Sequence, residues 1–557
     1  MIRLFETHYI RNAQELDGMW NFKMEGFDKT CQMPVPSCWE QHPDFLAHRG
    51  KGTYTRKVYV KENTNIRLEF KGVSHTADVY FDGQKVAHHY NAFTPFSAIV
   101  KDVKKGEHEI KVEADNTFGE HSALHIPNDY YTYGGITRPV AMESVSDVYI
   151  KNIHFTPHTK NGKWMAKIEV NIGSLSDTAI KVNVKSMLAG VEMNSEVSVS
   201  ADTTVVFEQE FDNVKVWSNK EPNLYMLNTM LSVNGEDIDD LIERVGFRTV
   251  EVKGTKIYLN GEPIYMKGFN RHEDYAVDGC AVTLQHIVQD MDLMQDMNAN
   301  AVRTCHYPND ERFLDLCDER GIFVWEENHA RGLKLPDMQN PNFEQQCEDC
   351  IREMIENHYN HPSIVIWGIL NECAAETDEG RRMYKKQYEQ IKSMDLSRPT
   401  TSATCRHFTD ITLDLPDVVS FNMYSGWYQD CPIDERNNQE IDWIKESGGD
   451  NKPIIVSELG AAAIYGYRDR SCCKWSEERQ ADLIKDNLEV YMNDDRICGV
   501  FIWQFADCRV TEEGGWFSTR ARCHNNKGVV DEYRRPKMAY DVVKDMYDMN
   551  DLISNLD

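Results

Sequence analysis

The chain has 557 residues, which at about 150 per domain points to three or four domains, or fewer where one is a large barrel, and excludes a single small binding module. A content of 41% hydrophobic and 10% aromatic residues supports buried cores and excludes global disorder. The 90 acidic against 61 basic residues give a formal charge of −29, a surface that repels nucleic-acid phosphates and anionic membranes but leaves a small anionic substrate open.

Met1 to Ile10 mix Arg3 and His8 with apolar side chains and lack the apolar core of a secretory signal, so no export is expected. No apolar run approaches the ~18 residues of a membrane-spanning helix. Fifteen cysteines form no disulfide framework, and reduced thiols in the cytoplasm are the expected state. Cys347 and Cys350 have C-x-x-C spacing, but Phe343, Cys347, Ile351, Met354 and Ile355 recur at helical intervals, which predicts a buried helix face rather than a redox or zinc site.

From Asp17 to about Ser144, short alternating runs such as Thr53–Val60 and Asn65–Phe70, punctuated by Asp82-Gly83 and Lys105-Gly106, predict a β-sandwich. A second β segment from about Val145 to Phe247 has the ~100-residue length of an immunoglobulin-like domain. After Lys253-Gly254, continuous apolar runs alternate with helical periods. The runs are Ile264–Phe269, Ala301–Thr304, Ile322–Trp325, Ile364–Leu370, Thr400–Ala403, Val418–Phe421, Ile454–Val456 and Val500–Trp503, and eight β/α units predict a closed (β/α)8 TIM barrel. The helix after the first run should bury Leu284, Ile287, Val288, Met291 and Met294. The expected division is thus 1–144 jelly roll, 145–250 immunoglobulin-like sandwich and 251–557 barrel: a multidomain chain, all-β and then α/β.

Barrel enzymes place their chemistry at the strand exits. The fourth run ends in Asn371-Glu372 and the seventh in Ser457-Glu458, two carboxylates at the mouth, as a retaining glycosidase needs for proton donation and for attack at the anomeric carbon from ~5 Å away. Glutamates at strand ends also serve as caps or surface ion pairs, so the neighbours matter. Asn371 offers an amide to a sugar 2-hydroxyl, Tyr424 a phenol to steady the nucleophile, Tyr428 and Trp427 further aromatic groups, and Trp503 a face for a pyranose ring.

Trp-Gly-Ile-Leu-Asn371-Glu372, Ile-Ile-Val-Ser-Glu458 and Asn-x-Tyr424-x-Gly-Trp-Tyr428 together resemble glycoside hydrolase family 2. The resemblance extends to Leu16–Phe22 and Val35–Trp39 in the first domain and to Arg303–Pro308 at the second barrel strand. It implies a jelly roll, an immunoglobulin-like domain and a catalytic barrel, with Glu372 as acid/base and Glu458 as nucleophile. Asn525-x-Lys527, followed by Arg534-Arg-Pro-Lys537, is similar to the β-glucuronidase branch, where Asn and Lys hold the C6 carboxylate. Asn128–Gly135 resembles an element of that branch that reaches into the barrel, which implies that Asp129 binds the C3 and C4 hydroxyls. By the same resemblance His272 and His306 line the sugar pocket, and the protein is a homo-oligomer.

The loop after the third run, Asn328–Lys334, is short and carries Arg331, a departure from the best-known members of the branch. Arg331 either selects the C4 epimer, making the enzyme a β-galacturonidase or dual hexuronidase, or is a surface arginine paired with an acid. A metal barrel using His272, His306 and His329 with Glu326 or Glu327 is disfavoured because the first strand lacks His-x-His. No Gly-x-Ser-x-Gly elbow occurs in the barrel, and no phosphate-cradling loop occurs in the chain. The expectation is a retaining exo-hydrolase of terminal β-D-glucuronides, acting on small glucuronides or oligosaccharide ends without metal or organic cofactor, and without nucleic-acid or membrane partners. A carbohydrate-binding protein that has lost its chemistry is the non-enzymatic alternative.

Overall fold

The computed structural model describes residues 2–4, 7–512, 515 and 520–554, with side chains as far as 548; of the opening stretch read for a leader, residues 1, 5 and 6 lie outside it. The chain divides into two compact units, one of Met1–Thr117, Tyr133–Thr249 and Glu353–Pro362, the other of Phe118–Thr132, Val250–Arg352 and Ser363–Asp557.

The first unit holds two sandwiches. In one, a six-stranded sheet (Thr30–Val35, Gly18–Met24, Lys51–Val60, Gly106–Asp115, Thr76–Phe81 and Gln84–Tyr90, in spatial order) accompanies a four-stranded sheet (Gln14–Glu15, Val140–Val145, Thr64–Phe70 and Phe96–Val103). Alternation drives it: Trp20, Phe22 and Met24 point into the core with Tyr54, Leu68 and Val112, while the residues between them face solvent. The second sandwich has sheets of three and four strands between Val148 and Val245, closed over Ile168, Val170, Val184, Leu231 and Phe247.

In the second unit, eight parallel strands close a barrel: β1 Met266–Asn270, β2 Ala301–Thr304, β3 Phe323–Glu327, β4 Ile364–Asn371, β5 Thr400–Thr404, β6 Val419–Asn422, β7 Ile454–Leu459 and β8 Ile497–Ile502. Each predicted run coincides with one strand. Every residue of these strands is buried, because a parallel sheet covered by helices has no solvent face, so its strands read as continuous apolar runs. Gly368 marks a tight approach, since a Cβ there would lie 2.2 Å from the Trp325 indole nitrogen.

Helix α1, Leu284–Asp296, buries Ile287, Met291 and Met294 as expected, but Leu284 is 43% exposed because it opens the helix, a turn before the stripe reaches the barrel. Helix α2, Glu311–Arg320, starts on the Asp310 carboxylate and stops at Gly321, whose φ of 69° suits the left-handed cap. Helix α3, Phe343–His358, carries Cys347 and Cys350 as buried free thiols. Residues 118–132, expected within the jelly roll, belong to the compact unit of the barrel. They are tied there by backbone bonds such as Thr511 N to Asn128 O at 3.1 Å and by Arg509 over the Tyr131 ring at 4.1 Å. Among the described residues no helix is long and apolar enough to cross a membrane.

Candidate active site

The strand exits surround a cavity of about 300 Å³ lined by Asp129, Arg331, Glu372, Cys405, His407, Asn422, Tyr424, Tyr428, Gln429, Glu458, Trp503, Arg520 and Lys527. Eight of the residues singled out from sequence are among them. Register explains the pairing: β6 and β7 align Asn422 with Glu458, and β4 and β5 align Asn371 with Ala403. Glu372 follows β4 with φ of 55°, a left-handed conformation that costs a non-glycine residue and turns the chain out of the strand at the acid.

The two glutamates have different surroundings. The Glu458 side chain is 3% exposed and accepts from the Arg303 guanidinium at 3.0 Å and from the Tyr424 hydroxyl at 2.5 Å. The Glu372 side chain is 16% exposed, accepts from Asn422 Nδ2 at 2.9 Å and lies 3.4 Å from Arg331 Nη2. Burial, reinforced by the charge of Glu372, pushes Glu458 up to about 7, against the pull of Arg303 and Tyr424. Glu458 has the shorter pair of donors, and Glu372 is the more exposed of the two.

Arg303, at the end of β2, is the hub. Fully buried over the Trp325 ring, it donates to both oxygens of Glu327 at 2.9 Å, to Asn371 Oδ1 at 2.8 Å and to Asn270 Oδ1 at 3.1 Å besides Glu458. It fixes Asn371, whose Nδ2 is buried and has no hydrogen-bond partner among the described residues. Sequence reasoning quoted Arg303 as part of a motif and gave it no role; its position at a strand exit was the signal.

At the other end, buried Asp129 accepts from Arg520 at 3.0 Å and Asn525 at 3.2 Å and pairs with Arg331 at 3.1 Å. Burial works against the charge of Asp129, but Arg331, Arg520 and Lys527 hold its carboxyl down at about 2. Arg331 is no surface residue: its side chain is 14% exposed and bridges Asp129 and Glu372, with Nη1 on Asn128 Oδ1 at 2.7 Å. Lys527 donates to the Tyr428 hydroxyl at 2.9 Å, and burial together with Arg520 lowers its pKa.

Four predicted residues stand behind the lining instead of in it. His306 stacks on Trp503 at 5.0 Å and bonds Glu327 at 2.8 Å; His272 meets the same indole edge-on at 5.4 Å and bonds the Tyr307 hydroxyl at 3.1 Å. Burial keeps both imidazoles neutral, His272 down to about 3. Asn371 serves Arg303, and Asn525 serves Asp129, so of the Asn-x-Lys pair only Lys527 reaches the cavity. Trp427 packs into a small cluster with Ala461, Ala462 and Leu483. Of the histidines and acids weighed as metal ligands, His329 bonds Tyr130 and Glu327 bonds Arg303. His272, Cys305 and His306 bring donor atoms within 4.8 Å of one another, and burial raises the Cys305 thiol. Cys405, His407, Asn422 and Gln429 were missed, although Asn422 lies at a strand exit already read.

The comparisons fit this geometry. The models described as "Glycosyl hydrolases family 2, TIM barrel domain", "Glycosyl hydrolases family 2" and "Glycosyl hydrolase 2 galactose-binding domain-like" match residues 250–551, 148–248 and 42–155. A crystal structure of a GH2 β-galacturonidase from Eisenbergiella tayi bound to galacturonate is similar with a TM-score of 0.95 and 48% identity, over 99% of each chain. A β-glucuronidase from Paenibacillus borealis is 28% identical over 95% of this chain and 96% of its own length. A relative from Formosa agariphila is also 28% identical over 89% of this chain, which spans 64% of that relative's length. The chain belongs to family 2 of the glycosyl hydrolases.

Proposed function

We propose that the protein is a retaining exo-β-hexuronidase that prefers terminal β-D-galacturonides over their glucuronide epimers. Glu458, ionised under Arg303 and Tyr424, attacks C1 as Glu372 gives its proton to the departing oxygen; a glycosyl ester forms on Glu458. Glu372 then takes a proton from water, which attacks C1, breaks the ester and releases the sugar with its configuration retained. Lys527, with Arg520 near it, suits a C6 carboxylate, which a neutral hexose does not present. Trp503 suits the apolar face of the ring.

The observation that carries the epimer preference is Arg331 on Asp129 at 3.1 Å. Asp129 is the group that the family resemblance assigns to the C3 and C4 hydroxyls. A guanidinium fixed on that carboxylate stands where the epimers differ, and its donors suit an axial C4 hydroxyl. The 48% identity to a protein named as a β-galacturonidase supports the same preference. A β-glucuronidase is the second reading, supported by the relative of that name from Paenibacillus borealis. The test is kcat/KM on the p-nitrophenyl β-D-galacturonide and β-D-glucuronide. A charge-assisted hydrogen bond of ~1.5–3 kcal/mol corresponds to a roughly ten- to hundredfold preference for the galacturonide, and Arg331→Ala should erase most of it. Faster turnover of the glucuronide by the wild type would favour the second reading. Activity on neither, with hexuronate still bound, would favour a carbohydrate-binding protein.

A further inference from the structure

Past Glu372 the cavity continues along the exits of β5 and β6. Glu372 N donates to Ala403 O at 2.9 Å, and the Arg406 guanidinium donates to the carbonyls of Glu372 and Cys373, each at 3.3 Å, so the chain from 403 to 407 is clamped beside the acid. Cys405 and His407 from this segment line the cavity, joined by Gln429 from the turn after β6.

We infer that Cys405, His407 and Gln429 form a leaving-group subsite that takes a neutral sugar; the inference rests on the hexuronidase reading of the catalytic pair. If Asp129 faces C3 and C4, then C1 lies at the Glu372 end, and the departing group leaves into the part of the cavity not taken by the uronate, whose lining includes Cys405, near enough to Glu372 to feel its charge, with His407 and Gln429. His407 is built in: its Nδ1 bonds Glu440 at 2.8 Å, and that carboxylate is fully buried on helix α4, Ile433–Ile444. With Nδ1 on the carboxylate, Nε2 is left for a hydrogen bond to a hydroxyl, which can donate or accept. Gln429 is held by its own backbone, whose carbonyl accepts from Gly426 N at 2.7 Å, while its Oε1 is buried without a partner. Burial, with the charge of Glu372 adding to it, raises the Cys405 thiol, which keeps it a neutral group.

These are hydrogen-bonding groups spaced along a wall, the chemistry of hydroxyl recognition. They offer little flat apolar area for an aryl aglycone. A second uronate is disfavoured as well. The cations lining the cavity are Arg331, Arg520 and Lys527, the first two paired with Asp129 and the third on Tyr428, while Arg406 is occupied by backbone carbonyls and by Glu376 at 3.3 Å.

The test compares kcat/KM of the wild type, His407→Ala and Gln429→Ala on the p-nitrophenyl β-D-hexuronide and on the same hexuronic acid β-linked to O6 of galactose. Each variant should lose at least tenfold more on the disaccharide than on the aryl substrate, the loss falling mainly in KM. Equal losses on the two substrates, or no loss on the disaccharide, would overturn the subsite; Gln429→Ala keeps the test open if His407→Ala fails to fold. A wild type that cleaves neither hexuronide overturns the hexuronidase reading and the subsite with it, whereas one that cleaves the aryl substrate with equal variant losses overturns the subsite alone.

Discussion

Tyr424→Phe isolates one contact in the catalytic pair. The hydroxyl donates to Glu458 at 2.5 Å, and burial, with the nearby charge of Glu458 adding to it, raises the phenol's own pKa, so it remains a donor throughout the working range. Phenylalanine keeps the ring and deletes only the bond. A hydrogen bond to a charged acceptor is worth ~1.5–3 kcal/mol, and at 1.36 kcal/mol per unit its loss should raise Glu458 by about one to two units from its value near 7. The ionised form attacks, so a higher pKa removes nucleophile at neutral pH: the ionised share at pH 7 falls from about one half to between ~9% and ~1%, a roughly five- to fiftyfold loss in kcat/KM. Raising the pH should recover the rate as Glu458 ionises. The assay is kcat/KM against pH on an aryl hexuronide, where the acid limb reports the free enzyme. A Tyr424→Phe profile reduced by the same factor at every pH, with its acid limb unmoved, would show that the hydroxyl does not govern Glu458.

Lys527→Ala should lower kcat/KM on hexuronides by roughly ten- to hundredfold, the loss of one charge-assisted contact, and spare turnover of the matched β-D-galactoside; equal losses would refute the carboxylate assignment. Glu458→Gln should abolish turnover, whereas Glu372→Ala should retain hydrolysis of substrates with good leaving groups and be rescued by azide as a β-glycosyl azide, read by NMR. Asp290 is fully buried between Arg271 at 2.9 Å and Arg534 at 2.7 Å, so Asp290→Ala should cost ~3–5 kcal/mol in urea unfolding by stranding two buried guanidiniums. Burial works against the Asp290 charge, but the two arginines hold its pKa below the ordinary 3.8. Its contribution is therefore present above that value and is lost as pH falls through the depressed one, and a wild-type acid-unfolding curve without a carboxylate step in this window would contradict the pairing.

The barrel was legible because its strands are buried on both faces: Ile364–Leu370 has no polar position to break the run, and β4 continues only one residue further, to Asn371. Glu372 and Glu458 were legible for the same reason, since a polar residue at the end of such a run has to sit at the mouth. Depth was not legible. His272 and Trp503 both follow strand ends, yet one lines the cavity and the other packs behind it, a difference set by stacking between elements distant in sequence. Asn525 shows the limit most clearly. Adjacent in sequence to the Lys527 region, it spends its amide on Asp129, 396 residues away, because 118–132 folds with the barrel. His407 escaped notice because the run read for β5, Thr400–Ala403, stops at Ala403 and the lining residues come two to four positions later.

The charge of −29 conflicts with an anionic substrate only if charge is treated as uniform. The cavity has its own balance: Asp129, Glu372 and Glu458 against Arg331, Arg520 and Lys527. Three against three leaves no excess to repel a carboxylate. A single uronate entering there would meet Arg331, Arg520 and Lys527. Exposed acids beyond a Debye length, ~8 Å at physiological salt, are screened from that exchange, whereas the buried pairs on Asp129 are not. Under the proposed function, selection for one carboxylate is local, made by Arg331 and Arg520 held on Asp129 and by Lys527 held on Tyr428, and the acidic exterior acts on longer polyanions, which cannot bring all of their charges inside.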